Sequence, residues 1–370
     1  MSKRIIAMLL ALLMVFALCA CGGKEEAAAP APAPEAKEES APAGRTEPLV
    51  IRWGATGNGD WQNDNQYRTN KEIMERIEAE TDGMITFEYY PGSQLGDATS
   101  MFDQVLMGTL DVVSAQPNVA SLVFPEFNVL VFPFAYPDMQ TYFDSLKSDE
   151  LYNTFREITG DKCVYLGVCS CNYRGMQNTV RPIRQASDLE GLKVRVQSGQ
   201  IYTDIFEALG ASTASISVTE LYSALQQGVV NAEENPATFA ISNGFHECAK
   251  YTTELNCVMS NAHNFMGTAC WNKLTDEEKE IVTAAFREEA EEAQLLAAEE
   301  LDRAYAEFEA AGVEVIRNAD LTDEERASFI EAELPIWEKY SSSINQEFYT
   351  QWKSALKEAW EANGYTWIID

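Results

Sequence analysis

Histidine is nearly missing from this chain. Only His246 and His263 occur among 370 residues. Neither has the Glu-x-x-His or Cys-x-x-Cys spacing that zinc sites use, so no metal is expected. Positive charge is scarce too: 27 Lys and Arg stand against 58 Asp and Glu, a formal charge of −31. Such a chain has no basic face for nucleic-acid phosphates or acidic lipid headgroups. The acidic excess favours a soluble monomer. Any anion it binds must be held by a few locally placed Arg or Lys side chains. Catalytic signatures are also absent. In Gly92-Ser-Gln-Leu-Gly96 the serine directly follows the glycine, which is not a nucleophile elbow. Gly57-Asn-Gly59 lacks the third glycine and helix start of a dinucleotide site. Carboxylates are abundant, but no Ser/His/Asp order or phosphate loop accompanies them. Neither a reaction nor a cofactor is expected.

The N-terminus sets the compartment. Lys3 and Arg4 precede an apolar run, Ile5 to Leu18, too short to span a membrane comfortably. Leu18-Cys19-Ala20-Cys21-Gly-Gly then looks like a bacterial lipoprotein cleavage box. Residues 1–21 are read as its signal peptide, with Cys21 as the lipidated residue. Cys19 competes, but Leu18 at minus three and Ala20 at minus one favour Cys21. An acylated soluble body is anchored to a membrane and does not span it. The expected location is extracytoplasmic, in the periplasm or on the outer face of the cytoplasmic membrane. Residues 22–47 are rich in Pro, Ala and Glu without apolar periodicity, and so form a disordered tether. Residues 48–370 form the body; the chain's 46% hydrophobic and 11% aromatic content is that of a globular protein.

The body alternates strand and helix, the grammar of an α/β sheet. Leu49 to Gly54 is a strand opening into a loop around Asn58, whose flanking glycines permit close backbone approach. A helix runs from about 65 to 81, and a strand from 85 to 90. The segments Phe102 to Ser114 and Tyr222 to Glu234 echo each other at a constant offset of 120. Both read helix, Gly stop (Gly108, Gly228), then strand, as two lobes of one architecture would leave behind. Gln116 and Asn235 follow at comparable strand ends. Val123 to Pro137, apolar with three prolines, is an irregular buried connection. A strand from Lys162 to Ser170 leads to Arg174.

The stretch around Arg195 organises the rest. After the turn Asp188 to Gly191, Leu192, Val194 and Val196 share one strand face, with Lys193 and Arg195 on the other. Helices from about 201 to 209 and 219 to 227 follow, and a strand ends at Glu233-Glu-Asn-Pro236. Arg195 and Asn235 thus stand at the carboxyl ends of strands, where ligands of open α/β sheets collect. A guanidinium there is a fork for a carboxylate or phosphate. A structural ion pair is the competing reading.

The order Asp188-Leu-x-Gly-Leu-Lys-x-Arg195, Gly210-Ala, then Glu220-x-Tyr-x-Ala-Leu-Gln226-x-Gly228-x-Val-x-x-x-Glu-x-Pro236 resembles the substrate-binding proteins of tripartite ATP-independent periplasmic (TRAP) transporters. Tyr90-Pro-Gly-Ser-Gln-Leu-Gly96, Gly108-x-Leu-Asp111, Phe124-Pro-Glu, Phe132-Pro-Phe and Trp271-x-x-Leu274 extend the likeness over about residues 48–340. The resemblance implies a two-lobed, periplasmic-binding-protein-like α/β fold with a long spine helix across both lobes. It implies lobe 1 at about 48–170 plus later segments, lobe 2 at about 171–265, and spine and C-terminal helices at 275–370. It also implies that Arg195 binds a substrate carboxylate and that Arg174 is a second basic pocket residue. Asn235, Gln116 and Asn58 would supply hydrogen bonds. The expected partners are a small organic acid and the membrane permease subunits that receive it. Val218 and Gln116 depart from patterns common in relatives, so no particular acid is implied.

A capping box, Thr275-Asp-Glu-Glu278, opens the expected spine helix, which reads on to Gly312 and would be ~55 Å long. Six body cysteines (Cys163, Cys169, Cys171, Cys248, Cys257, Cys270) fit disulfides or buried thiols equally well. Trp337, Trp352, Trp360 and Trp367 read as docking and core. Two rival readings stand beside the transporter one: a ligand sensor of the same fold for a receptor kinase, and a lipid-anchored hydrolase.

Overall fold

Strand and helix alternate along the chain, and the strands collect into two sheets. The computed structural model describes residues 45–60, 64–295 and 297–368, with the side chains of 290–299 set aside. The signal peptide, Cys21 and most of the expected tether lie outside the described residues. In chain order the strands are Leu49–Ala55 (β1), Ile85–Tyr90 (β2), Val112–Ala115 (β3), Cys163–Tyr173 (β4), Gly175–Asn178 (β5) and Lys193–Val196 (β6). Then come Ser212–Ser215 (β7), Ala232–Asn235 (β8), Tyr251–Thr253 (β9), Met259–Gly267 (β10) and Glu314–Ile316 (β11). The first sheet has the order β2-β1-β3-β10-β4, the second β11-β9-β5-β8-β6-β7.

Each sheet is parallel except for one strand: β10 runs against β3 and β4, and β5 against β8 and β9. Each of these strands follows a crossing from the other sheet. Arg174 alone separates β4 in the first sheet from β5 in the second. Residues 254–258 carry the chain back from β9 to β10. A strand entering from the neighbouring sheet arrives at the opposite end from those fed by local helices, hence its reversed direction.

One sequence expectation is corrected here. The resemblance puts residues up to about 265 in the second lobe. Instead strand pairing stops at Thr253 and resumes at Met259, and β10 belongs to the first sheet. The apolar alternation continues through the crossing, but its backbone groups bond elsewhere: Cys257 and Val258 carbonyls accept from the Phe134 and Arg174 amides. The helices Asp276–Leu295 and Ala297–Ala310 occupy the expected spine, residue 296 between them lying outside the described residues. The first packs on β4 and on the helix Asn65–Glu80, the second on the helix Ala237–Ser242 and β11, so together they serve both sheets.

The echo at offset 120 is real in three dimensions. Helix Ala98–Leu106, Gly108 and β3 correspond to helix Val218–Gln226, Gly228 and β8, with both glycines left-handed at φ 73° and 70°. Strictly, Ala115 is the counterpart of Asn235; Gln116 follows its strand, as Pro236 does. Val123–Pro137 lies largely buried around a 3-10 turn, Pro125–Val131. The C-terminal tryptophans seal it: Trp337 Nε1 donates to the Pro133 carbonyl and Trp360 Nε1 to the Ala135 carbonyl, both at 2.8 Å. One continuous core thereby takes in residues of both sheets and the C-terminal helices. All six body cysteines are free thiols, which resolves the open alternative.

Candidate functional site

The carboxyl ends of β1, β3, β4, β6 and β8 face one cleft between the sheets, a hollow of about 180 Å³. All five ligand-binding residues expected from the sequence line it: Asn58, Gln116, Arg174, Arg195 and Asn235.

Arg195 owes its direction to strand alternation. Val194 and Val196 are fully buried in the core, and Arg195 turns to the opposite face with 4% of its surface exposed. Its Nε donates to the Ile216 carbonyl at 2.8 Å. Among the described residues, its terminal nitrogens have no acceptor. Burial pulls its pKa below the ordinary guanidinium value, opposed by Glu234 and Glu233 and reinforced by Arg174. The structure thus holds a desolvated cation by its inner nitrogen and leaves the outer fork open to the cleft.

Arg174 is as deeply buried but fully engaged. Its Nε bonds the Glu234 carboxylate, and Nη1 donates to Ser260 Oγ at 2.9 Å. Nη2 donates to the Glu234 carbonyl at 2.6 Å and to Asn235 Oδ1 at 2.9 Å. Burial alone would lower its pKa, but the neighbouring Glu234 reverses this and raises it. The competing reading weighed for Arg195, a structural ion pair, therefore describes Arg174. Asn235 is oriented from both sides, since its Nδ2 donates to Glu233 Oε2 at 2.6 Å.

The first sheet supplies the facing wall. Gln116 Nε2 approaches Thr56 Oγ1 at 3.4 Å. Asn58 lies exposed on the rim; its Nδ2 donates across the cleft to the Ser242 carbonyl at 3.4 Å. The loop is pinned by Asp64, the cap of helix Asn65–Glu80, which accepts from the Gly59 amide at 3.1 Å. A Cβ at Gly57 would sit 2.3 Å from Asp64 Oδ2, so only glycine lets the loop fold this tightly.

Several site residues escaped the sequence reading. Asn118 is fully buried; its Nδ2 bonds the Ser198 carbonyl from the other sheet, and its Oδ1 has no partner. Gly199 stands against it at φ 111°. Thr238 also lines the cleft and stands 120 positions after Asn118, so the echo carried that signal. Glu233 and Glu234 were visible in the motif but received no role. Among the described residues, no three His, Cys, Asp or Glu side chains gather as metal ligands. No described helix is long and apolar enough to cross a membrane.

Residues 58–343 match the model of the bacterial extracellular solute-binding protein, family 7. Among curated relatives, a solute-binding protein of Roseobacter denitrificans is 28% identical over 63% of this chain and 72% of its own. The sialic acid-binding periplasmic protein of Vibrio cholerae is 25% identical over 76% of this chain and 86% of its own. A solved TRAP periplasmic solute-binding protein from Roseobacter denitrificans, with bound β-D-glucuronate, superimposes with a TM-score of 0.76 at 24% identity. That match covers 83% of this chain and 99% of the other, and it establishes the shared fold.

Proposed function

Since the chain belongs to the bacterial extracellular solute-binding proteins, family 7, the substrate-binding proteins of TRAP transporters, we propose that it captures a small organic acid by a carboxylate at Arg195. The family serves transport and is not enzymatic. The observation that carries the proposal is the open fork of Arg195, buried in the cleft with only its Nε bonded. Charge-assisted bonds of this kind contribute about 1.5–3 kcal/mol each. Solved relatives hold galacturonate, orotic acid, D-erythronate, glucuronate and succinate, all acids.

Arg174 acts at one remove in this reading. It neutralises Glu234 and fixes the Asn235 amide, which with Gln116 gives the ligand directional hydrogen bonds. Asn58 closes the rim from the first sheet. Closure by hinge motion then presents the loaded form to the permease subunits, with the protein held at the membrane through lipidated Cys21.

The test is a thermal-shift screen of the protein against organic acids, run beside Arg195→Met. Ligand binding to the folded state raises the melting temperature by mass action. The expected result is a shift for one class of acid that disappears in the variant. A shift that survives the substitution refutes Arg195 as the anchor, and silence from every acid refutes the organic-acid reading.

A further inference from the structure

Across the second sheet, strand register lines up four polar side chains on one face. Thr252 of β9 pairs with Gln177 of β5, Gln177 with Glu233 of β8, and Glu233 with Arg195 of β6. Their exposures are 0%, 1%, 0% and 4%, so the row runs through the interior and ends at the cleft. Side chains directly opposite on neighbouring strands are close enough to bond.

The hydrogen-bond pattern along this row is incomplete in one place. Gln177 Nε2 donates to Thr252 Oγ1 at 3.1 Å, and Glu233 Oε2 accepts from Asn235 at 2.6 Å. Gln177 Oε1 and Glu233 Oε1 are both buried acceptors without a donor. Two orphan acceptors on register neighbours lack one thing, a proton between them. A protonated carboxyl supplies it, since its O–H donates where a carboxylate only accepts.

We propose that Glu233 is the proton partner of the Arg195 anchor: the ligand's carboxylate binds at Arg195 together with uptake of one solvent proton, shared between Glu233 Oε1 and Gln177 Oε1. This rests on the reading of Arg195 as the ligand's anchor. The charged and polar groups facing Glu233 are Arg195 from β6, Arg174 from the crossing, and Glu234 and Asn235 from its own strand. Burial raises the Glu233 carboxyl to about 7; Asn235, Arg195 and Arg174 pull it down, and Glu234 pushes it up. A ligand carboxylate on Arg195 adds negative charge beside Glu233 and diverts the cation that steadies its anion. Both effects raise the Glu233 pKa further. Above pH 7 the site must therefore take up a proton to hold the acid, and affinity falls by up to about tenfold per pH unit until the ligand-bound pKa is passed. Below that range affinity is flat.

The experiment is calorimetry of the purified protein with succinate, D-glucuronate and D-galacturonate, from pH 6 to 8.5, in phosphate and in Tris. The different ionisation heats of the two buffers give the proton count. The proposal expects uptake approaching one proton near pH 8 and a Kd that rises with pH, while Glu233→Gln removes both dependences. Carbon-13 spectroscopy of the ligand-free protein should place one Glu carboxyl, absent from the variant, near neutral. Binding of an acid with no proton uptake overturns the role of Glu233 and leaves the Arg195 reading standing. That is also the outcome if the Gln177 amide is rotated, since it then donates to an ionised Glu233. Titration of Glu233 in the ordinary carboxylate range overturns the proposal without any ligand. Failure of every acid to bind at any pH overturns both readings. If Glu233→Gln does not fold, the wild-type proton count decides.

Discussion

Arg174 and Arg195 are equally buried in one cleft, yet their removal should have very unequal consequences for stability. Arg174→Met deletes four hydrogen bonds and leaves the Glu234 carboxylate, 2% exposed, without its cation. Breaking a buried pair from one side costs about 3–5 kcal/mol. At ~2.1 cal/mol/K of unfolding entropy per residue, a chain of 370 residues loses about 4–6 °C in melting temperature. Arg195→Met deletes one bond, to the Ile216 carbonyl, worth about 1 kcal/mol. It also removes a cation that burial disfavours, so the two effects largely cancel. Thermal melts of the ligand-free protein at pH 8 check this. The double variant Arg174→Met/Glu234→Met should recover most of the loss, because replacing both partners of a buried pair is often neutral. If Arg195→Met melts as low as Arg174→Met, Arg195 is also a structural group and its open fork has been misread.

Three further outcomes follow from other parts of the molecule. Gly199→Ala puts a Cβ 3.1 Å from that of Asn118 on a backbone at φ 111°, and should weaken ligand affinity at least tenfold by calorimetry. Glu333 is fully buried with only the Cys257 thiol to offer it a proton, and burial holds its pKa well above the usual carboxylate range. Its raised pKa means stability is lost as pH rises above about 4.5, at up to ~1.4 kcal/mol per pH unit. Glu333→Met should lessen that slope in denaturant titrations, leaving the part due to Glu233, and be the more stable protein at pH 7. Of the six body thiols Cys248 alone is half-exposed, so a thiol reagent should label one of them quickly in the native state and all six after unfolding.

What could be read from the sequence was whatever one strand or one helix decides alone. Arg195 was legible because period-two alternation turns it away from Val194 and Val196. The offset of 120 was legible because both lobes repeat helix, glycine and strand. What was hidden depends on partners far along the chain. Glu234 meets Arg174 sixty positions away, and nothing local distinguishes that arginine from Arg195. The crossing at 254–258 keeps the apolar pattern of a strand while its backbone bonds to Phe134 and Arg174. Glu233 lies two positions from Asn235, but its neighbours Gln177 and Arg195 come from two other strands.

The one-residue crossing at Arg174 also bears on the order of events. Its guanidinium makes three bonds to Glu234 and Asn235 on the second sheet and one to Ser260 on the first. When the sheets part, the single bond is the one to give, and Arg174 travels with Asn235 and Arg195. On the proposed function, the second sheet should keep its half of the pocket assembled while open and receive the acid first. The first sheet, through Asn118 and Asn58, should arrive afterwards as a lid. Association rates should thus answer to Arg195 and to salt, and dissociation rates to the side chains that shut the cleft.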